Sequence, residues 1–144
     1  MVDKEFIEEK INLITRDLSR LDIFSSFTIS QVAEDFIKYG ALKNMLMEII
    51  GRALDINEHI ISELSDPKIE APKNYKETFL FLKNLKILPE GFADEISKSA
   101  GFRNAIVHEY NNLDKNIVYK TVGEAIYQYA KYCDYILKFL ESQK

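Results

Sequence analysis

Residues 115–140 read KNIVYKTVGEAIYQYAKYCDYILKFL, and within them Tyr119, Val122, Ile126, Tyr129, Cys133, Ile136 and Leu140 recur at alternating steps of three and four. That spacing lays the apolar side chains along one stripe of an α-helix, whereas a half-buried strand alternates every second residue. The stripe is heptad-like and predicts packing within a helical bundle, with an intermolecular seam as its alternative use.

The same period runs upstream. Ile7, Ile11, Ile14, Leu18 and Leu21 place a first helix over about 3–21, and a second is expected from Thr28 or Ser30 to about Leu64. Thr28 with Gln31 has the form of a capping box at its start, and Val32, Phe36, Leu46, Ile49, Ile50, Ala53, Ile60 and Leu64 form its seam. Gly40 and Gly51 lie inside this helix, each costing up to ~1 kcal/mol relative to Ala, so a bend or a close helix contact is expected there. Pro67 and Pro72 break the pattern; Asn74 with Glu77 then caps a short third helix ending near Lys86. Pro89 at a first-turn position opens a fourth helix with Phe92, Ile96, Phe102, Ile106 and Val107 inward, ending between His108 and Tyr110. The predicted fold is all-α, a single domain over 1–144 built as an antiparallel bundle of four long helices and one short one.

Composition narrows the function. The 144 residues carry 19 Lys and Arg against 23 Asp and Glu, 47% hydrophobic residues and one Cys. The apolar content is too high for disorder, and no apolar run approaches the ~20 residues that cross a bilayer. A lone Cys133 makes no intrachain disulfide, one Cys with His59 and His108 is too few for a Cys/His zinc cluster, and the charged start lacks a signal core; a cytoplasmic location is expected. Residues 1–67 hold 7 basic and 13 acidic side chains. Nonspecific nucleic-acid binding needs clustered cations, so a confined phosphate site is sought in the middle segment, among Lys73, Lys76, Lys83, Lys86, Lys98 and Arg103.

Chemistry concentrates in Phe102-Arg103-Asn104-Ala105-Ile106-Val107-His108-Glu109-Tyr110. On a helix Asn104 and His108 share a face, Arg103 lies beside Asn104 with the reach to join them, and Phe102 and Ile106 hold the opposite side in the core. These are the parts of a phosphodiester cleavage site: an imidazole that titrates near neutrality, a planar cation for phosphate and a neutral polar group to orient substrate. RNA brings its own nucleophile in the ribose 2′-OH. One His per chain does not readily serve as base and acid together, so a symmetric dimer would help. Alone, each part also has an ordinary explanation: His108 as an exposed helix-end side chain, Arg103 paired with Glu109 or Asp94, Tyr110 at a core edge.

Arg103, His108 and Tyr110 match R-x-x-x-x-H-x-Y, and here the chain resembles the HEPN superfamily, specifically the HepT-like ribonuclease toxins encoded beside a minimal nucleotidyltransferase antitoxin. With 4 Arg, 2 His and 8 Tyr available, chance would produce this spacing on the order of 0.003 times. Asn104 matches the polar residue that commonly follows the motif Arg. The resemblance implies a homodimeric, metal-independent endoribonuclease acting on RNA with no cofactor, Arg103 and His108 in its cleft, Asn104 supporting them, and Tyr110 as the position to which the partner nucleotidyltransferase attaches AMP.

Two other assignments compete. One is a noncatalytic HEPN module that binds nucleotides or docks on a nucleotidyltransferase; the other is a plain helical scaffold. Asp55, Glu58 and His59 form a second polar cluster that makes a weak metal signal, and Asp55 would line the cleft if the second and fourth helices pack together. The tyrosines of the last helix are expected in the core on the seam and facing a partner off it.

Overall fold

Asp3 opens the first helix by accepting the Phe6 amide on its side chain, and α1 then runs Lys4–Leu21 with Ile7, Ile11, Ile14, Leu18 and Leu21 buried. In the computed structural model, which describes residues 1–108 and 114–143, α1 is followed by a 3-10 turn at Asp22–Ser26, α2 at Ile29–Ala33, α3 at Phe36–Leu64, α4 at Tyr75–Asn84, α5 at Glu90–His108 and α6 at Lys115–Ser142. No strand occurs among the described residues.

Where one long second helix was expected, two form. The Thr28–Gln31 capping box is present at the start of α2, but Asp35 begins a new helix by accepting the amides of Ile37 and Lys38 on its carboxylate. The Ala33 carbonyl, released from helical bonding, accepts from Lys115 of α6. A capping carboxylate thus interrupts a sequence that contains no Pro or Gly at the break. Phe36, expected on the seam, falls at the first position of α3 and is 84% exposed.

Smaller differences have similar causes. Asn74 caps α4 through the Glu77 amide, whereas the Glu77 carboxylate reaches past Asn74 to the Lys73 amide. Helix α4 stops at Asn84 because Lys86 turns left-handed, with φ of 63°. The Pro89 carbonyl accepts from Ala93, so Pro89 caps α5 and stands one residue before its first turn.

Helix α3 lies at the centre and contacts all five other α-helices. Helix α1 crosses it antiparallel: Asp3 donates its amide to His59 Nε2, Lys10 pairs with Asp55, and the buried Asp17 carboxylate is held by Arg52 and Arg16. Helix α6 contributes Val122, Tyr129, Cys133, Ile136 and Leu140 to the core. Tyr132, off the seam, is equally buried, so the rule that off-seam tyrosines face outward fails there. Its hydroxyl reaches across to α3, donating to Asn57 with the Ala53 carbonyl 3.1 Å away. No described helix is long and apolar enough to cross a membrane.

Candidate active site

Helix α5 carries Arg103, Asn104 and His108 on one continuous element, with Ile106 buried and Phe102 and Val107 half-buried to anchor it. Glu109 and Tyr110, like residues 111–113, lie outside the described residues, so the position expected to carry AMP is not located here.

Arg103 packs where α5 meets α3 and α4. Its guanidinium lies along Gly51 of α3: a Cβ built at Gly51 would stand 3.6 Å from Nε and 3.9 Å from one terminal nitrogen. On its other side the guanidinium sits 5.7 Å from the Tyr75 ring centre, within range of a cation–π contact. Neither Asp94 nor any other described carboxylate pairs with it: Asp94 pairs with Lys83 at 3.7 Å. The Arg103 Nε is buried and has no hydrogen-bond acceptor among the described residues. Tyr75 was not singled out by the sequence, nor was Gly51 linked to Arg103. At Gly51 a bend or a close helix contact was expected, without a partner, and Arg103 of α5 supplies that contact; the signal that could have found Tyr75 is an aromatic residue directly after the capping Asn74.

Asn104, one position on, points elsewhere. It borders a groove of about 500 Å³ between α3 and α4, with Glu58, Ile61, Ser62, Pro72 and Tyr75 among its walls. Arg103 borders a second, shallower furrow of about 340 Å³ on the α1 side of α3, shared with Lys10, Arg52 and Asp55. Asp55 and Arg103 therefore meet in one furrow, while Asn104 looks into its neighbour. His108 is exposed at the last described turn of α5, five residues and roughly 7.5 Å of helix rise beyond Arg103. Within one chain the guanidinium is drawn toward α3 and α4, and the imidazole is left to solvent.

The cations around Arg103 are engaged. Lys10 holds Asp55 at 3.0 Å, and Arg52 is held between Asp17 and Glu48. The lysines of the middle segment do not form one patch. Lys73 and Lys98 pair with Glu70 and Glu95 on their own segments, and Lys83 and Lys86 border a separate cavity of about 770 Å³ at the other end of α5. In the Asp55, Glu58 and His59 cluster, Asp55 is paired with Lys10 and His59 Nε2 accepts from a backbone amide, so these donors are tied into the α1–α3 interface; among the described residues no group of three or more potential metal ligands forms.

A buried chain of hydrogen bonds fixes Tyr75. Asn57 of α3, fully buried, accepts from Tyr132 of α6 and donates its amide to Thr78 of α4 at 3.1 Å; the Thr78 hydroxyl in turn donates to the Tyr75 carbonyl at 2.6 Å. Three helices thus set the backbone that carries the ring against which Arg103 rests.

The family model for ribonuclease HepT-like proteins matches residues 14–136. A protein of Aphanizomenon flos-aquae named tRNA nuclease HepT is 32% identical over 141 residues, covering 96% of this chain and 92% of that one. The mRNA nuclease HepT of Shewanella oneidensis is 24% identical over 133 residues, covering 92% and 96%. Among solved structures, a tri-AMPylated HEPN toxin of Shewanella oneidensis in complex with an MNT antitoxin superposes with a TM-score of 0.81 at 24% identity, over 94% of this chain and 99% of that one.

Proposed function

This chain belongs to the HepT-like ribonuclease family, and from that premise we propose that it is a metal-independent endoribonuclease toxin of the cytoplasm, working as a homodimer and silenced when a minimal nucleotidyltransferase attaches AMP to Tyr110. The single observation that carries the reading is the state of Arg103. Among the described residues its guanidinium pairs with no carboxylate, whereas Lys10, Arg52 and Lys83 are all paired. A half-buried cation whose Nε is buried without an acceptor among the described residues, beside an open furrow, is poised for an anion, and a planar guanidinium suits the paired oxygens of a phosphodiester.

The chemistry follows from RNA's own nucleophile. The ribose 2′-oxygen attacks the adjacent phosphorus, the bond from phosphorus to the 5′-oxygen breaks, and the products end in a 2′,3′-cyclic phosphate and a free 5′-hydroxyl. His108 takes the 2′-OH proton or returns one to the leaving 5′-oxygen, while Arg103 bonds the phosphate oxygens as charge accumulates in the transition state. Asn104 orients the substrate from the neighbouring groove. A second chain supplies the second imidazole, which lets one act as base and the other as acid. AMP on Tyr110 adds a bulky anion two residues from His108, and steric exclusion and charge repulsion then act together against RNA.

The test is incubation of purified protein with end-labelled cellular RNA in EDTA beside His108→Ala. Fragments ending in a 2′,3′-cyclic phosphate are expected, and their rate falls by about 10²- to 10⁴-fold in the variant, the usual worth of a proton-transfer group. Wild type and variant equally inert, with Tyr110 shown unmodified by mass spectrometry, would replace catalysis by the docking-module reading. Incubation with the partner nucleotidyltransferase and ATP is expected to add AMP at Tyr110, and not in Tyr110→Phe.

A further inference from the structure

The groove from which Asn104 orients substrate takes no part in the proton and phosphoryl transfers just described. It opens between α3 and α4, holds about 500 Å³, and has Tyr75 as its aromatic wall, with that residue 40% exposed. Ile61 and Pro72 add apolar surface, while Asn104, Glu58 and Ser62 bring hydrogen-bonding groups to the rim. A flat ring with one polar edge fits such a lining: the face stacks on an aromatic side chain and the edge meets amide, carboxylate or hydroxyl groups.

Its position relative to Arg103 gives the ligand. Arg103 and Asn104 are consecutive on α5 and look into adjacent furrows, and the Tyr75 ring stands between them with the guanidinium 5.7 Å from its centre. A nucleotide likewise carries phosphate and base on opposite sides of one sugar. Resting on the ribonuclease reading above, we propose that this groove is a nucleobase subsite: Tyr75 stacks the base of a nucleotide adjoining the scissile phosphate, and Asn104 hydrogen-bonds the edge of that base. The Tyr132–Asn57–Thr78 chain, ending on the Tyr75 carbonyl, holds the platform in place before RNA arrives.

The experiment uses a short RNA whose cleavage position has been mapped, made uncleavable by a 2′-deoxy sugar at the attacking nucleotide, with binding followed by fluorescence anisotropy. Tyr75→Ala is expected to weaken binding by about 5- to 150-fold, the range alanine substitution shows for one stacked base. Tyr75→Phe keeps the ring and binds like the parent. An RNA lacking the base on one side of the scissile phosphate, each side being tried in turn, loses at least the same factor on the parent protein and markedly less on Tyr75→Ala, where only the Asn104 contact is left to lose. For substrates that do cleave, the loss appears in kcat/KM, and a parental melting curve for Tyr75→Ala shows that its fold is retained. Unchanged binding by Tyr75→Ala, or an abasic penalty that persists in full in that variant, overturns the subsite while the ribonuclease reading stands. A parent protein that neither binds nor cleaves RNA overturns the ribonuclease reading itself, and the subsite with it.

Discussion

Gly51 gives the sharpest handle on the site, because helix energetics and the seat of Arg103 make opposite demands on it. In mid-helix a glycine costs about 0.8–1.0 kcal/mol relative to alanine. A Cβ at position 51 would stand 3.6 Å from Arg103 Nε, an ordinary van der Waals separation, so Gly51→Ala fits without moving the guanidinium. It therefore recovers nearly the whole propensity term. Unfolding entropy near 2.1 cal/mol/K per residue gives roughly 300 cal/mol/K for a chain of this length, so the gain raises Tm by about 3 °C. Gly51→Val differs in kind. Its two methyl groups branch from a Cβ that already stands 3.6 Å from Arg103 Nε, with one strongly preferred helical rotamer, and crowd the seat of the guanidinium. Arg103 must then swing away, and a displacement of about 1 Å at a reacting centre costs on the order of 100-fold in rate. Thermal melting followed by circular dichroism and cleavage of end-labelled RNA read the two effects separately. A Gly51→Val protein that cleaves at the parental rate, or a Gly51→Ala protein that melts lower than the parent, refutes the reasoning.

Other perturbations follow from the buried groups. Asp17→Ala removes the 3%-exposed carboxylate that anchors Arg52 and is expected to cost about 3 kcal/mol in urea denaturation, since a largely buried guanidinium loses one of its two partners. Asn57→Ala strands the Thr78 and Tyr132 hydroxyls on their remaining backbone acceptors and should cost about 2 kcal/mol by the same measurement. Burial, reinforced by Asp134, pushes the Cys133 thiol up to about 12 from its ordinary 9.0, so iodoacetamide at pH 8 should label it only as fast as the protein unfolds, as mass spectrometry can follow. Burial likewise raises Tyr129 and Tyr132, and all three groups keep their protons in the folded chain after the unfolded chain has lost them. Stability from this source is complete below about pH 9 and declines as pH climbs toward 12, which urea midpoints across that window would trace.

Periodicity made the bundle legible, because five of the seven seam positions of α6 are buried and the α1 stripe is buried throughout. The motif was legible for the same local reason: Arg103, Asn104 and His108 belong to one helix, and their spacing is a property of the chain alone. What escaped depends on contacts between segments distant in sequence. The use of Gly51 appears only when Arg103, 52 residues later, is laid against it. Tyr75 looked like the first residue of a short helix until α5 brought a guanidinium to its face. The break at Asp35 escaped because an acidic residue inside a helical pattern reads as a solvated face, and its capping role shows only in the amides of Ile37 and Lys38. Tyr132 lies three residues from Tyr129, off the stripe, and its burial rests on a hydroxyl partner in another helix.

The hydrogen-bonded thread from α6 through Asn57 and Thr78 to the Tyr75 backbone has a bearing on how such a protein would diversify. Changes at Tyr132 or Asn57 lie outside the groove's lining, yet each is expected to shift the ring that borders it. A laboratory selection for cleavage at a new sequence context should therefore recover substitutions deep in the interior as well as on the rim, and the interior ones would carry a stability cost that the rim ones do not.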